Sequence, residues 1–108
     1  MRFAERTLHG LGENGDRDTI SIWIERRPGA VWAVGRAIDI DARRTPEPRP
    51  DDYIFEGYEL GDALDAANNA LSDDLQISRG DGVNEDVALF DEEELLKPLE
   101  RWFFGHKP

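Results

Sequence analysis

The chain reads TISIWIE over residues 19–25, RRPGA over residues 26–30 and VWAVGRAIDI over residues 31–40. Isoleucine recurs at every second position of the first stretch, which is typical of a strand with one buried face. Pro28 presets its own φ angle and Gly29 tolerates a positive one, so the pair predicts a turn. Residues 31–40 then form the return strand of an antiparallel hairpin.

The centre of this turn sets which residues of the two strands share a face. A hairpin centred on Pro28-Gly29 pairs residues whose numbers sum to 57. In that register the isoleucines of the first strand lie beside the small residues of the second: Ala33, Gly35 and Ala37. Small side chains permit close approach, so we expect a helix to pack on this face. The other face carries Trp23, Trp32 and Arg36.

Weaker strand patterns flank the hairpin. Residues 3–9 form a possible first strand, and Asn14-Gly15 is a strong turn signal before the hairpin. Prolines at alternate positions predict an exposed, extended loop over residues 42–52. Residues 53–55 follow that loop and have the composition of a further strand. The sequence therefore predicts three to four antiparallel strands.

Two helices are predicted in the second half. A stripe of apolar residues recurs at steps of four, three, four and four: Leu60, Leu64, Ala67, Leu71 and Leu75. Asp91 stands three residues before Glu94, which is the spacing of a capping box at the start of a last helix over residues 92–104. Pro98 is expected to kink or split that helix.

These elements define an α+β fold, with an antiparallel β-meander of three to four strands and two helices packed on one face. The length of 108 residues indicates a single domain, whose acidic helical part spans residues 59–104.

Charge divides the chain into unlike halves. Residues 1–50 hold eight acids and nine bases, whereas residues 51–108 hold sixteen acids and four bases. One interpretation is that acidic helices pack beside an arginine-bearing sheet, where the charges meet. The other is an acidic surface that recruits a basic protein partner. The candidate residues of this acidic surface are Asp73, Asp74, Glu92 and Glu93.

Aromatic residues suggest two further surfaces. Trp23, Trp32 and Arg36 on one open sheet face resemble the way several folds stack single-stranded nucleic acid. The net charge of −11 opposes phosphate binding. Core packing of both tryptophans and a protein-binding patch on this face are the alternatives. Trp102 begins a run of three aromatics that cannot all face one way on a helix, so self-association through this end is a hypothesis.

The remaining motifs predict no catalytic, cofactor-binding or metal-binding residue. The chain has no cysteine, which excludes a disulfide framework, a thiolate zinc site and a cysteine nucleophile. A GxGxxG match at residues 10–15 runs into a strand instead of opening a helix, as a dinucleotide site requires. Residues 81–86 are rich in oxygen ligands but miss the spacing of a calcium loop. Arg79-Gly80-Asp81 is a chance match to adhesion ligands.

The sequence thus predicts a small acidic soluble domain that is not an enzyme and binds another protein. Single-stranded nucleic-acid binding is the alternative, and a small carboxylate-based enzyme is a third hypothesis. No apolar run is long enough to span a membrane, and the N-terminal residues lack the apolar stretch of a secretory signal. The expected location is therefore the cytoplasm.

Overall fold

A computed structural model describes residues 2–9, 19–39, 50–77, 84 and 87–105, with side chains described except at 39, 77 and 102–105. The strands are β1 (Arg2–His9), β2 (Thr19–Arg27), β3 (Val31–Asp39) and β4 (Tyr53–Gly57). The helices are α1 (Leu60–Ile77) and α2 (Glu92–Gly105). One 3-10 turn, Pro50–Asp52, leads into β4.

The four strands form one antiparallel sheet in the order β1-β2-β3-β4. Its buried cluster joins the three isoleucines of β2 to Ala67 and Leu71 of α1 and to Leu95 of α2. Both helices therefore pack on the same side of the sheet, which we call the helix face. The other side is called the outer face. The predicted α+β meander with two helices on one face is confirmed.

A three-residue turn joins β2 to β3 and sets the register between them. Gly29 has a φ of 82° and Ala30 a φ of 62°, so both occupy the left-handed region. Arg27 pairs with Val31, and the numbers of paired residues sum to 58. The predicted register, with a sum of 57, is wrong because Ala30 belongs to the turn and not to the strand.

A shift of one residue in register moves every side chain of β3 to the opposite face. Val34 lies opposite Ile24 and Arg36 opposite Ile22, so the helix face of β3 carries its large side chains. The prediction that Ala33, Gly35 and Ala37 receive a helix is wrong, since these residues lie on the outer face. The close approach comes instead from α1, where Ala63 and Ala67 are fully buried.

The same shift separates the three residues that were predicted to share a face. Trp23 lies opposite Gly35 on the outer face, whereas Trp32 and Arg36 lie on the helix face with the isoleucines of β2. The predicted common face of Trp23, Trp32 and Arg36 is therefore wrong. Its physical cause is the left-handed Ala30, which lengthens the turn.

The start of α2 confirms the predicted capping box. The backbone N–H of Glu93 donates to Oδ1 of Asp91 at 3.0 Å, and the N–H of Asp91 donates to Oε1 of Glu94 at 3.4 Å. Pro98 lies inside one continuous helix, so the prediction that it splits the helix is wrong. A kink at this position stays a prediction.

Arg6 of β1 fastens α2 and the segment before it to the sheet. Its guanidinium donates to both carboxylate oxygens of Glu94, at 2.8 and 2.7 Å. Its Nε donates to the carbonyl oxygen of Ala88 at 2.8 Å, and its charged group lies 4.6 Å from the ring centre of Phe90. The Arg6 side chain thus contacts Ala88, Phe90 and Glu94, each of which is more than 80 residues away from it in sequence.

This contact makes part of the stability dependent on pH. The hydrogen bonds from Arg6 lower the pKa of Glu94 below its ordinary 4.5, although partial burial opposes them. A carboxylate with a lowered folded pKa stabilises the fold above about pH 4.5, and that contribution is lost as pH falls through the folded pKa. We expect Glu94→Gln to reduce the free energy of unfolding by about 1.5 kcal/mol at pH 7.

The measurement is urea unfolding between pH 7 and pH 3. The difference between the natural protein and Glu94→Gln should shrink as pH falls below 4.5. Glu93→Gln is the matched control, because its side chain is exposed and no cation pairs with it among the described residues. A difference between Glu94→Gln and the natural protein that stays constant down to pH 3 would contradict the role of the Arg6 contact.

Candidate functional site

An aromatic cluster occupies the centre of the outer face. The indole of Trp23 lies directly over Gly35, so close that a Cβ atom built on Gly35 would come within 2.1 Å of it. Tyr53 of β4 packs edge-on against the same ring at 5.8 Å between ring centres, and the Arg2 guanidinium lies 4.0 Å from its centre. Trp23 is fully buried as a result, and does not present a stacking platform to a ligand.

Glu25 is the polar centre of this cluster. It accepts hydrogen bonds from Nε1 of Trp23 at 2.8 Å, from the hydroxyl of Tyr53 at 2.7 Å and from Nε of Arg27 at 3.1 Å. Burial alone would raise the pKa of Glu25, but these three donors together lower it. Each buried polar group of the cluster therefore has a partner within the chain, which is the arrangement of a structural network.

Trp32 lies on the helix face, belongs to the buried core cluster and is 2% exposed. Phe3 packs against it edge-on at 5.7 Å, and the guanidinium of Arg26 lies 4.6 Å from its ring centre. Trp23 thus packs on the outer face of the sheet and Trp32 on the helix face.

Arg36 and Asp74 form a bidentate ion pair between β3 and α1. Nε of Arg36 donates to Oδ2 of Asp74 at 2.8 Å, and its second nitrogen donates to Oδ1 at 2.9 Å. These hydrogen bonds raise the pKa of the Arg36 guanidinium, which keeps it charged. Asp74 is 4% exposed, so its carboxylate is occupied inside the fold and does not face a partner.

The outward side of α1 carries a row of exposed polar residues at helical spacing. Three of them are acidic, namely Asp62, Asp65 and Asp73, and Asn69 and Gln76 complete the row. Residues 50–77, which include β4 and all of α1, contain eight acids and no lysine, arginine or histidine. Of these eight, Glu56 and Asp74 pair with arginines of the sheet.

Asn68 brings the start of α2 beside the middle of α1. Its side-chain amide donates to the carbonyl oxygen of Phe90 at 3.1 Å, and the N–H of Phe90 donates back to Oδ1 at 2.7 Å. Next to Phe90, three exposed acids open α2: Asp91, Glu92 and Glu93. The helix dipole favours negative charge at this position, which explains part of the pattern.

We define the acidic layer as the exposed carboxylates of α1, of the residue before it and of the start of α2: Glu59, Asp62, Asp65, Asp73, Asp91, Glu92 and Glu93. Three of the four acids predicted to bind a partner belong to this layer, namely Asp73, Glu92 and Glu93. Within the described part of the chain, no ion pair involves any of these seven carboxylates.

The arginines of the sheet are occupied in a different way. Arg6, Arg27 and Arg36 each pair with a carboxylate within 3.2 Å. Arg2 pairs with Glu5 and lies over Trp23, and Arg26 lies over Trp32. The arginines of the sheet are thus paired or stacked within the fold, two of them with Glu94 and Asp74 of the helices. The acidic layer, in contrast, exposes carboxylates that have no ion pair among the described residues. On α2 only Lys97 and Arg101 add exposed positive charge within the described residues.

Several sequence hypotheses fall outside what the structure describes. They concern the GxGxxG match at 10–15, residues 42–49 of the proline-rich loop, the Arg79-Gly80-Asp81 tripeptide, most of residues 81–86 and the side chain of Trp102. Among the described residues, no group of three histidine or acidic side chains could hold a metal ion. Neither helix, as far as it is described, is long and apolar enough to cross a membrane.

A comparison with known proteins finds no family model, no curated protein and no solved structure that matches this chain. The functional interpretation therefore depends on the geometry of the chain itself.

Sequence reasoning missed two residues that organise these contacts. Arg6 stands at the inward position of β1, between Ala4 and Leu8, and this alternation already indicated a cation that faces the helices. Tyr53 joins the outer-face cluster through an irregularity in the pairing of β3 with β4. No pattern in the sequence indicates that irregularity.

Proposed function

We propose that this protein is a non-enzymatic interaction module whose acidic layer binds a basic surface of another protein. The observation that carries the proposal is the partition of charge between the two layers. The seven exposed carboxylates of the acidic layer, on the helices and just before them, have no ion pair among the described residues, while the arginines of the sheet are engaged within the fold. The proposal places the module in the cytoplasm, where a chain without cysteine needs no disulfide.

Electrostatics gives such a surface a defined physical signature. A strongly negative surface raises the association rate of a basic partner, and this attraction is screened by salt. Contacts between exposed charges contribute modestly to affinity but strongly to association rate and selection of the partner. We therefore expect binding that weakens as ionic strength rises, mainly through slower association.

The test begins with affinity capture from lysate of the source organism, with and without nuclease, and continues with titration of the purified partner. Asp62→Asn combined with Asp65→Asn should weaken binding about tenfold at low salt. Glu5→Gln combined with Thr7→Lys makes the same change of net charge on the outer face, where both side chains are exposed. This control should change the affinity less than about twofold.

Three results would overturn the proposal. Recovery that is lost on nuclease treatment would indicate a nucleic acid instead of a protein. Affinity that does not depend on salt would exclude the acidic layer as the contact. A chain that captures no protein, but gains stability and solubility in concentrated salt, would show that its acids serve hydration and not recognition.

A further inference from the structure

The sheet has two edge strands, β1 and β4, and their contacts with the rest of the described chain differ. At β1 the side-chain amide of Asn84 donates to the carbonyl oxygen of His9 and accepts from its N–H, both at 3.1 Å. Arg6 ties the carbonyl oxygens of residues 88 and 89 to the same strand. Asn84 therefore pairs with the backbone edge of β1 at His9, and Arg6 holds the segment from residue 87 beside this strand.

The edge at β4 has no such partner among the described residues. β4 pairs with β3 on one side only. In an antiparallel sheet, alternate N–H and C=O groups of an edge strand point away from the sheet and can pair with a further strand. The outer edge of β4 is thus a template for a fifth strand.

Apolar side chains remain exposed beside this edge. Ile54 of β4 is 47% exposed, and Tyr58, one residue after the strand, is 73% exposed. Phe55 between them packs against the core cluster, so the exposure does not reflect a strand that is detached from the fold. An added strand would cover Ile54 and Tyr58 in part.

The charge around the edge selects the kind of strand that can be added. Asp51, Glu56 and Glu59 are exposed along it, and residues 50–77 contain no positive charge. Arg27 pairs with Glu56 at 3.2 Å, but the Glu56 side chain stays 56% exposed. A second copy of β4 would bring these acids against themselves, and like charges across a strand pair are destabilising.

We infer that the outer edge of β4 accepts an extended segment of the basic partner, in which lysine or arginine alternates with apolar residues. Backbone hydrogen bonds to β4 would supply affinity, and the apolar side chains would contact Ile54 and Tyr58. This inference rests on the proposed function, because it names the part of the acidic chain that a basic partner contacts.

The test uses a synthetic peptide of about eight residues that alternates lysine with valine, a length that matches an ordinary strand. A peptide with glutamate in place of lysine is the control for charge. We expect the basic peptide to bind at low salt and to protect the amides of β4 against hydrogen exchange, measured residue by residue by NMR. Ile54→Lys should weaken this binding by about tenfold or more.

Leu89→Lys is the matched variant, because Leu89 is 53% exposed near β1 and the substitution changes net charge equally. It should leave both the affinity and the protection of β4 nearly unchanged. Equal losses for Ile54→Lys and Leu89→Lys would overturn the inference.

The outcomes separate the inference from the proposed function. Binding that is lost in Asp62→Asn with Asp65→Asn, without protection of β4, would overturn the edge contact and leave the acidic layer as the binding surface. Failure of every basic peptide and protein to bind would overturn both. A dimer in sedimentation analysis that Ile54→Lys dissociates would show that a second copy occupies the edge.

Discussion

Gly35→Ala is expected to destabilise the fold by about 3 kcal/mol or more, the upper end of what overpacking costs in a core. The added Cβ atom would lie 2.1 Å from Cζ2 and 2.2 Å from Cε2 of Trp23. The indole has nowhere to move, because Trp23 is fully buried and its Nε1 is held by Glu25. Either the ring or the backbone of β3 must shift.

The measurement is chemical unfolding followed by circular dichroism. Gly61→Ala is the matched control, because a Cβ atom at Gly61 meets nothing within 4 Å and alanine favours the helix. That variant should be neutral or slightly more stable. Trp23→Val combined with Gly35→Ala should recover part of the loss relative to the sum of the single changes, since it removes the clashing ring. Similar unfolding midpoints for Gly35→Ala and Gly61→Ala would contradict the packing of Trp23 on Gly35.

Arg36→Met is expected to reduce the free energy of unfolding by about 3 kcal/mol, because it leaves the carboxylate of Asp74 buried without a partner. Asp74→Ala should have a smaller effect of about 2 kcal/mol, since the Arg36 side chain is 31% exposed and can reach water. This asymmetry follows from burial and not from the strength of the ion pair.

The neighbouring Asp73 supplies the control for this pair. Asp73→Ala changes an exposed carboxylate on the same turn of α1 and should alter stability by less than about 0.5 kcal/mol. Arg36→Met combined with Asp74→Leu replaces the pair by apolar groups and should be more stable than Arg36→Met alone. Equal effects of Asp73→Ala and Asp74→Ala would contradict the burial of the ion pair.

The acids of the second half have two different roles. Some pair with arginines of the sheet, and others form an exposed acidic surface. Asp74 of α1 and Glu94 of α2 meet arginines of the sheet, as expected if acidic helices pack beside a basic layer. Asp62, Asp65 and Asp73 face away from the sheet and form the surface on which the proposed function depends. Adjacent residues such as Asp73 and Asp74 thus have different roles, because successive positions of a helix point about 100° apart.

The candidate surface could be predicted from sequence only in part. The acidity of the second half was evident from composition, and Asp73, Glu92 and Glu93 are exposed in the fold. The interpretation that both tryptophans pack in the core is confirmed. The face on which each tryptophan lies and the burial of Asp74 were not evident, because they depend on which residues of β3 face α1. That choice is made by pairing across the sheet.

The sequence by itself determined the hairpin, the apolar stripe of α1, the capped start of α2 and the order of the elements along the chain. Those features follow from local periodicity and from side chains that bond to their own backbone. Tertiary structure decided the register of β3, and with it the partners of Trp23 and Arg36. The left-handed Ala30 costs about 1–2 kcal/mol. Burial of Trp32 and Val34 against the helix face contributes about 1.5–3 kcal/mol for each side chain and so outweighs that strain.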